Sequence, residues 1–309
     1  MANFGKILAL ANPAARNGAG LELAQRAEQL LLARLGACES LEVAYTKSAG
    51  HAVELAATRA AEFDTLLVLG GDGLVHETVN GLMALDAADR PALGVVPLGS
   101  GNDYARALGI PLELEDAVAA LRDGCALPAD VGLVNGQFFA ETLSFGLDAA
   151  IALQTMELRK STNWSGTKLY FHAGIDQLLH HLDTHPFRAS YTDDAGEVCE
   201  IVGGEIVFAV QVGPTYGGGF HICPEAKLDD GLLDVCYAPG PIGVAHAVYV
   251  FVRAKDGKHT HMKPIKLFRT HNLHIEFEYE PPTQIDGEAL HARSFDIDCV
   301  PHALNVIRA

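Results

Sequence analysis

The chain reads as an α/β domain followed by a mainly antiparallel, β-rich domain. Three observations predict this. Over residues 6–123, short apolar runs alternate with segments of helical spacing, the pattern of a largely parallel sheet in a three-layer α/β arrangement. Two of those runs end in glycine-rich turns that lead into helices, Gly70-Gly71-Asp72-Gly73 and Gly99-Ser100-Gly101-Asn102. Near residues 125–130 the pattern shifts to short strands punctuated by Gly, Asn and Asp turns. The expected domains are 1–128 and 129–309, with the last residues crossing back to the first domain.

Each element follows from local pattern. Lys6–Ala11 is a first strand, ended by Asn12-Pro13. A small, flexible loop carrying Arg16 precedes a helix with Leu23, Ala27, Leu30, Leu31 and Leu35 on one face. Leu41–Tyr45 is a second strand, and His51 opens an Ala-rich helix. Leu66–Leu69 is a buried strand, followed by a helix through Val75, Val79 and Leu82. Ala92–Val96 is the next strand, after which Ser100 or Asn102 is expected to cap a helix. Leu112–Leu121 is helical and closes at Asp123-Gly124. Beyond the boundary, Asn135-Gly136 signals a hairpin. Helical patterns cover 149–159, 168–182 and 242–252, and strands are expected at 187–192, 199–203, 205–212, 273–277, 294–297 and 304–307.

Composition narrows the function. A chain of 309 residues, 49% hydrophobic, can bury two cores. A net charge of −17 argues against non-specific nucleic-acid binding and general adsorption to anionic membranes. Six cysteines without a CxxC spacing fit a reduced, cytoplasmic chain. The opening MANFGKILALANPAARNG lacks the pattern of a signal peptide, and no apolar run reaches membrane-spanning length.

The glycine turns carry the strongest chemical signal. Glycine allows close backbone approach to a ligand, and a helix start presents free N–H groups where phosphate binds. Ligands of parallel sheets gather at the carboxyl ends of the strands. Two such turns in one sheet point to a joint nucleotide site, although there is no GxxxxGK string of the ATPase type. In the second domain, Asp229, Asp230 and Asp234 form either an ordinary acidic turn or an oxygen-rich cation site. Asp286-Gly287-Glu288 is a turn that also offers carboxylates for acid–base work. Residues 253–269 hold six of the 22 Lys and Arg residues, a local positive field suited to anionic lipid headgroups or simply to solvent.

These strings occur in an order that resembles the diacylglycerol kinase catalytic family, of the bacterial lipid kinase type, with some similarity to sphingoid base kinases. They are Asn12-Pro13, GGDGLVHETVNGL from Gly70, Gly99–Arg106, Asp130, Gly217–Gly219, Asp229–Asp234 and Asp286–Glu288. The resemblance implies a nucleotide-binding first domain, a C-terminal β-sandwich, and ATP- and Mg²⁺-dependent phosphorylation of a lipid hydroxyl. It implies ATP contacts from Asn12, Arg16, Gly70, Gly71, Asp72, Gly73, Gly99, Ser100 and Asn102, and substrate or cleft positions at Glu77, Asp103, Arg106 and Asp130. Glu288 is favoured as the catalytic carboxylate, with Asp286 in support and Asp72 as the magnesium organiser and rival base. A second magnesium is implied at Asp230, with the carbonyls of Lys227 and Leu232. Ser100 stands where threonine is commoner, and Val212 where asparagine is usual.

Diacylglycerol is the first-ranked substrate; sphingoid bases, phosphatidylglycerol and NAD are alternatives, as is a catalytically silent lipid-binding role. The expected setting is the cytoplasm and transiently the inner face of the membrane, reached through residues 253–269. A homodimer is compatible with the chain, and nucleic acid is not an expected partner.

Overall fold

The computed structural model describes residues 4–35, 38–162 and 166–309. The chain divides into two compact units: residues up to Asp130 together with His302–Ala309, and Val131–Pro301.

The first unit is a parallel sheet with helices on both faces. Its strands are β1 (Gly5–Ala11), β2 (Cys38–Tyr45), β3 (Thr65–Gly70) and β4 (Ala92–Pro97). Its helices are α1 (Gly20–Arg34), α2 (His51–Arg59), α3 (Asp72–Leu82), α4 (Asp103–Ala107) and α5 (Leu114–Asp123). The sheet order is β2-β1-β3-β4, all parallel. β3 is buried along its whole length, as its unbroken apolar run requires of a central parallel strand. Helix pairs α1–α5 and α2–α3 pack against each other. At Gly81 of α3, an added Cβ would lie 2.5 Å from the Val53 carbonyl oxygen of α2, so these helices meet closely.

The second unit is a β-sandwich with three helices. Its elements are β5 (Cys125–Val134, begun in the first unit), β6 (Gln137–Phe139), β7 (Thr142–Gly146), α6 (Leu147–Ser161), α7 (Gly166–His180), β8 (His185–Asp193), β9 (Val198–Gln211), β10 (Leu233–Pro239), α8 (Val244–Ala254), β11 (Lys266–Phe277), β12 (Thr283–Ile285), β13 (Glu288–Ala289) and β14 (Ser294–Arg308). One ladder runs β12-β7-β9-β10-β11, and the other β9-β8-β11-β14, all antiparallel. The expected strands 199–203 and 205–212 are one strand, β9. Its first half pairs with β8 and its second with β7 and β10, and Gly203-Gly204 lie where it passes between ladders. Phe145 anchors the core against Phe277 at 5.2 Å and Phe295 at 4.7 Å between ring centres. The Asn135-Gly136 turn has φ of 48° and 86°, the type I′ hairpin that this dipeptide favours. The end of β14 lies parallel to β4, with Val306 opposite Leu93, and so completes the first unit's sheet. Among the described residues no helix is long and apolar enough to cross a membrane.

Asp148 and Glu205 are among the acids buried inside the second unit. Tyr170 donates a 2.8 Å hydrogen bond to Asp148 Oδ1, while Asp148 Oδ2 and both oxygens of Glu205 are buried without hydrogen-bond partners. Desolvation raises the Asp148 carboxyl to about 6, against the opposing hydrogen bonds of Ser144 and Tyr170. Burial, then the Asp148 charge, pushes Glu205 well above the ordinary range. The folded chain therefore keeps a proton on Asp148 between the unfolded value, about 4, and the folded value of about 6. Through that window the folded state binds more protons than the unfolded one, so stability falls as pH rises. Asp148→Asn should raise the melting temperature at neutral pH and flatten its decline from about pH 4 upward. Glu205→Gln removes a carboxyl that burial biases toward its neutral form, so it too should flatten the loss of stability as pH rises. Thermal melts across a pH series check both.

Candidate active site

In the first unit, three loops meet at the carboxyl ends of β1, β3 and β4. The first begins at Asn12, whose Oδ1 accepts the Ala14 N–H at 2.9 Å while its carbonyl accepts the Ala15 N–H at 3.2 Å. This closes an Asx-type turn. Arg16, in the left-handed region at φ 49°, sends its guanidinium to the Gly99 carbonyl, with Nε at 3.1 Å and Nη2 on the same oxygen.

The second and third loops touch backbone to backbone. A Cβ on Gly71 would lie 2.7 Å from Gly99 Cα, and one on Gly99 would be closer still to Gly71. The Leu98 N–H donates to the Gly70 carbonyl at 2.9 Å, continuing the strand pairing into the turns. Only glycine permits such an approach at both positions.

Asn102 stands at the N-cap position of α4, but its side chain does not cap the helix as the sequence led us to expect. At φ 57° it folds back on Gly99, accepting that residue's N–H at 2.8 Å and donating to its carbonyl at 3.0 Å. Asp72, the first residue of α3, serves α4 instead. Its Oδ2 accepts the Asn102 N–H at 2.8 Å, and Oδ1 lies 3.4 Å from the Tyr104 N. Ser100 and Gly101 complete this loop, with Gly101 so close to Asp72 that a Cβ would lie 2.6 Å from Oδ2. Gly73 is exposed, Asp103 is buried at the start of α4, and Arg106 is exposed in its last turn.

Two expected cleft residues have other partners. Glu77 accepts the Gly50 N–H at 2.9 Å and the Ala52 N–H at 3.1 Å, so both its oxygens cap α2. A carboxylate at a helix N-terminus offsets the dipole there. Asp130 is buried, and its Oδ1 accepts the His302 N–H at 2.7 Å, fixing the returning chain.

In the second unit, Asp286-Gly287 forms the two-residue turn between β12 and β13, with φ of 46° and 94°. Asp286 is tied to the backbone that leads into β7. Its carboxylate accepts the N–H groups of Ala140 (2.8 Å), Glu141 (3.0 Å) and Thr142 (2.9 Å), which makes it a positioning residue. Gln284, which sequence reasoning missed, accepts the Gly287 N–H at 2.6 Å and donates to Ser144 Oγ at 2.8 Å. Glu288 follows the turn, opposite Ile285, and is exposed.

Asp230 accepts the Leu232 N–H at 3.2 Å and lies 3.7 Å from the Arg269 guanidinium. Asp234 Oδ2 is buried without a hydrogen-bond partner, and desolvation, then the Asp230 charge, raises its carboxyl to about 7. A buried orphan carboxylate oxygen near a second carboxylate fits an oxygen-bound cation, with the Lys227 and Leu232 carbonyls available from the same turn. Among the described residues no three His, Cys, Asp or Glu side chains cluster as metal ligands, so a cation at Asp72 or Asp230 needs carbonyl, water or phosphate oxygens as well.

The three amides on Asp286 give a stability test. Asp286→Ala leaves them without their acceptor and should cost roughly 2–4 kcal/mol, while Asp286→Asn, which keeps one acceptor oxygen, should cost less. Urea unfolding of the three proteins measures the order.

Comparison with known proteins agrees with this geometry. Residues 6–134 match the diacylglycerol kinase catalytic domain, and residues 141–308 match the YegS C-terminal NAD kinase beta sandwich-like domain. The protein named "Diacylglycerol kinase" in Bacillus subtilis (strain 168) is 32% identical over 78% of this chain and 75% of its own length. A Pseudomonas aeruginosa (strain UCBPP-PA14) protein named "Probable lipid kinase YegS-like" is 32% identical over 80% of this chain and 77% of its own. A crystal structure of a diacylglycerol kinase from Bacillus anthracis str. Sterne covers 100% of this chain and 98% of its own, with a TM-score of 0.75 and 25% identity. The paired domain matches and the near full-length structural likeness place the chain in the diacylglycerol kinase catalytic family, as a lipid kinase of the bacterial diacylglycerol kinase and YegS-like type.

Proposed function

We propose that this lipid kinase transfers the γ-phosphoryl group of ATP to the free hydroxyl of diacylglycerol, giving phosphatidic acid at the inner face of the membrane. The observation that carries the reading is the meeting of the Asn12, Gly70–Gly73 and Gly99–Asn102 loops at the ends of parallel strands. Glycine backbone at such a place suits the phosphates of a nucleotide.

Bound ATP supplies the phosphoryl group, and Mg²⁺ neutralises charge on its oxygens. Arg16, tied to Gly99, holds the first loop against the third and keeps a positive charge beside the phosphate position. Asp72, at the head of α3, organises the metal while its hydrogen bonds set the start of α4. In the second unit Glu288 orients the lipid hydroxyl and accepts its proton, and Asp286 and Gln284 fix the turn that carries it. The orphan oxygen of Asp234, with Asp230, holds a second cation that stabilises its turn.

Two measurements test this. Incubation with labelled ATP and a panel of diacylglycerol, sphingoid base, phosphatidylglycerol and NAD should label diacylglycerol, in a Mg²⁺-dependent manner. Label in another acceptor reassigns the substrate, and label in none marks a silent lipid-binding protein. Glu288→Gln should lower kcat by about 10²–10⁴-fold with ATP affinity retained. Gly99→Ala should instead weaken ATP binding, because its Cβ forces the second and third loops apart. Near-normal turnover in Glu288→Gln would move the base role to Asp72.

A further inference from the structure

The second unit exposes an apolar surface that neither its fold nor the proposed chemistry uses. Helix α8 carries no Lys, Arg, Asp or Glu from Val244 to Val252. Its inner side is accounted for: Ala247 and Ala254 are buried, and Phe251 packs on Phe220 at 5.2 Å between ring centres. Its outer side presents Val244, Tyr249 and Val252, which are 40%, 56% and 45% exposed. An amphipathic helix of a soluble domain places polar residues there. Helix α7 adjoins α8 through Phe171, 5.6 Å from Phe251 between ring centres. A shallow groove of about 430 Å³ runs along α7, lined by Phe171, Ile175 and Leu179 and bordered by Lys168, His172 and Asp176.

The stretch that follows α8 in the chain is rich in cations. From Arg253 to Arg269 the chain holds six Lys and Arg residues and a single acid, Asp256, in a protein of net charge −17. Several of these cations have partners within the protein. Lys255 turns inward to the carbonyls of Gly218 and Gly219 at 3.1 and 2.9 Å, Lys258 pairs with Asp256, Arg269 with Asp194, and His259 is buried. Lys263 and Lys266 remain exposed.

We infer that the outer face of α8, extended by Phe171 and Leu179 of α7, inserts shallowly into an anionic lipid bilayer, with Lys263 and Lys266 drawing it to the surface. An exposed apolar helix face joined to cations is the composition of an interfacial helix, which lies in the membrane plane without spanning it. Opposite charge selects an anionic surface, and the long-range attraction weakens with salt. The assignment rests on the lipid kinase reading for its biological sense, but its physical content is a binding surface that can be tested without turnover.

Co-sedimentation with phosphatidylglycerol-containing and pure phosphatidylcholine vesicles tests it, on variants whose melts and gel-filtration profiles match the parent. Tyr249→Asp with Val252→Asp should lower partition onto anionic vesicles by about tenfold or more. Lys263→Glu with Lys266→Glu should weaken it mainly at low salt. Val198→Asp, at an exposed valine on β9, should bind as the parent does. In a brominated-lipid assay, Tyr249→Trp should add quenchable fluorescence beyond that of the parent's single tryptophan. Equal binding to neutral vesicles, or equal binding by the α8 double variant and Val198→Asp, would overturn the assignment. So would a parent dimer that the α8 substitutions dissociate, which would make the face an interface between copies. Phosphorylation of a short-chain, soluble diacylglycerol, expected to be unchanged in the α8 variant, separates the two ideas. Activity there with no vesicle binding removes only the membrane face; vesicle binding with no lipid phosphorylated removes only the substrate reading.

Discussion

The first unit's site depends on one steric constraint, the contact of Gly71 with Gly99. With no side chain on either residue, the ends of β3 and β4 continue side by side past the point where their strands finish. The neighbouring interactions use that closeness. Leu98 bonds to the Gly70 carbonyl, Asp72 reaches across to the head of α4, Asn102 folds back on Gly99, and Arg16 clasps the same carbonyl from the first loop. Each bond alone is modest, but all of them fix the same few backbone atoms, so the site is set before any ligand arrives.

The second unit answers a similar demand differently. Its Asp286-Gly287 turn is short and stands near the end of the chain, yet it is held by amides about 145 residues earlier. A buried carboxylate with three N–H donors is satisfied, unlike Asp148, Glu205 and Asp234, each of which has at least one oxygen without a hydrogen-bond partner. Those acids weaken the fold as they ionise, a cost tolerated at sites serving something other than stability.

Much of this was legible in the chain itself. The β3 apolar run, the glycine turns and the Asn135-Gly136 hairpin are local signals, set by φ preferences and by the period of burial. What stayed hidden was long-range. Nothing near Glu77 announces that it will cap α2, because its partners, Gly50 and Ala52, lie more than 20 residues earlier. The helix start at Asn102 looked like a self-capping turn, and only the third dimension supplies Asp72 as its acceptor. β9 was divided at Gly203-Gly204 because glycines usually end strands, whereas here they carry one strand from ladder to ladder.

The return of β14 gives the molecule an unusual order of assembly. Residues His302–Ala309 belong to the unit that the ribosome begins first, yet they are made after the whole of Val131–Pro301. Until they emerge, the β4 edge has no partner beyond β3, and Asp130 lacks the His302 amide. The first unit's nascent sheet must therefore wait with an open edge, the kind of surface on which chains pair wrongly. The unit begun earlier is thus closed only after the residues of the second unit have been made.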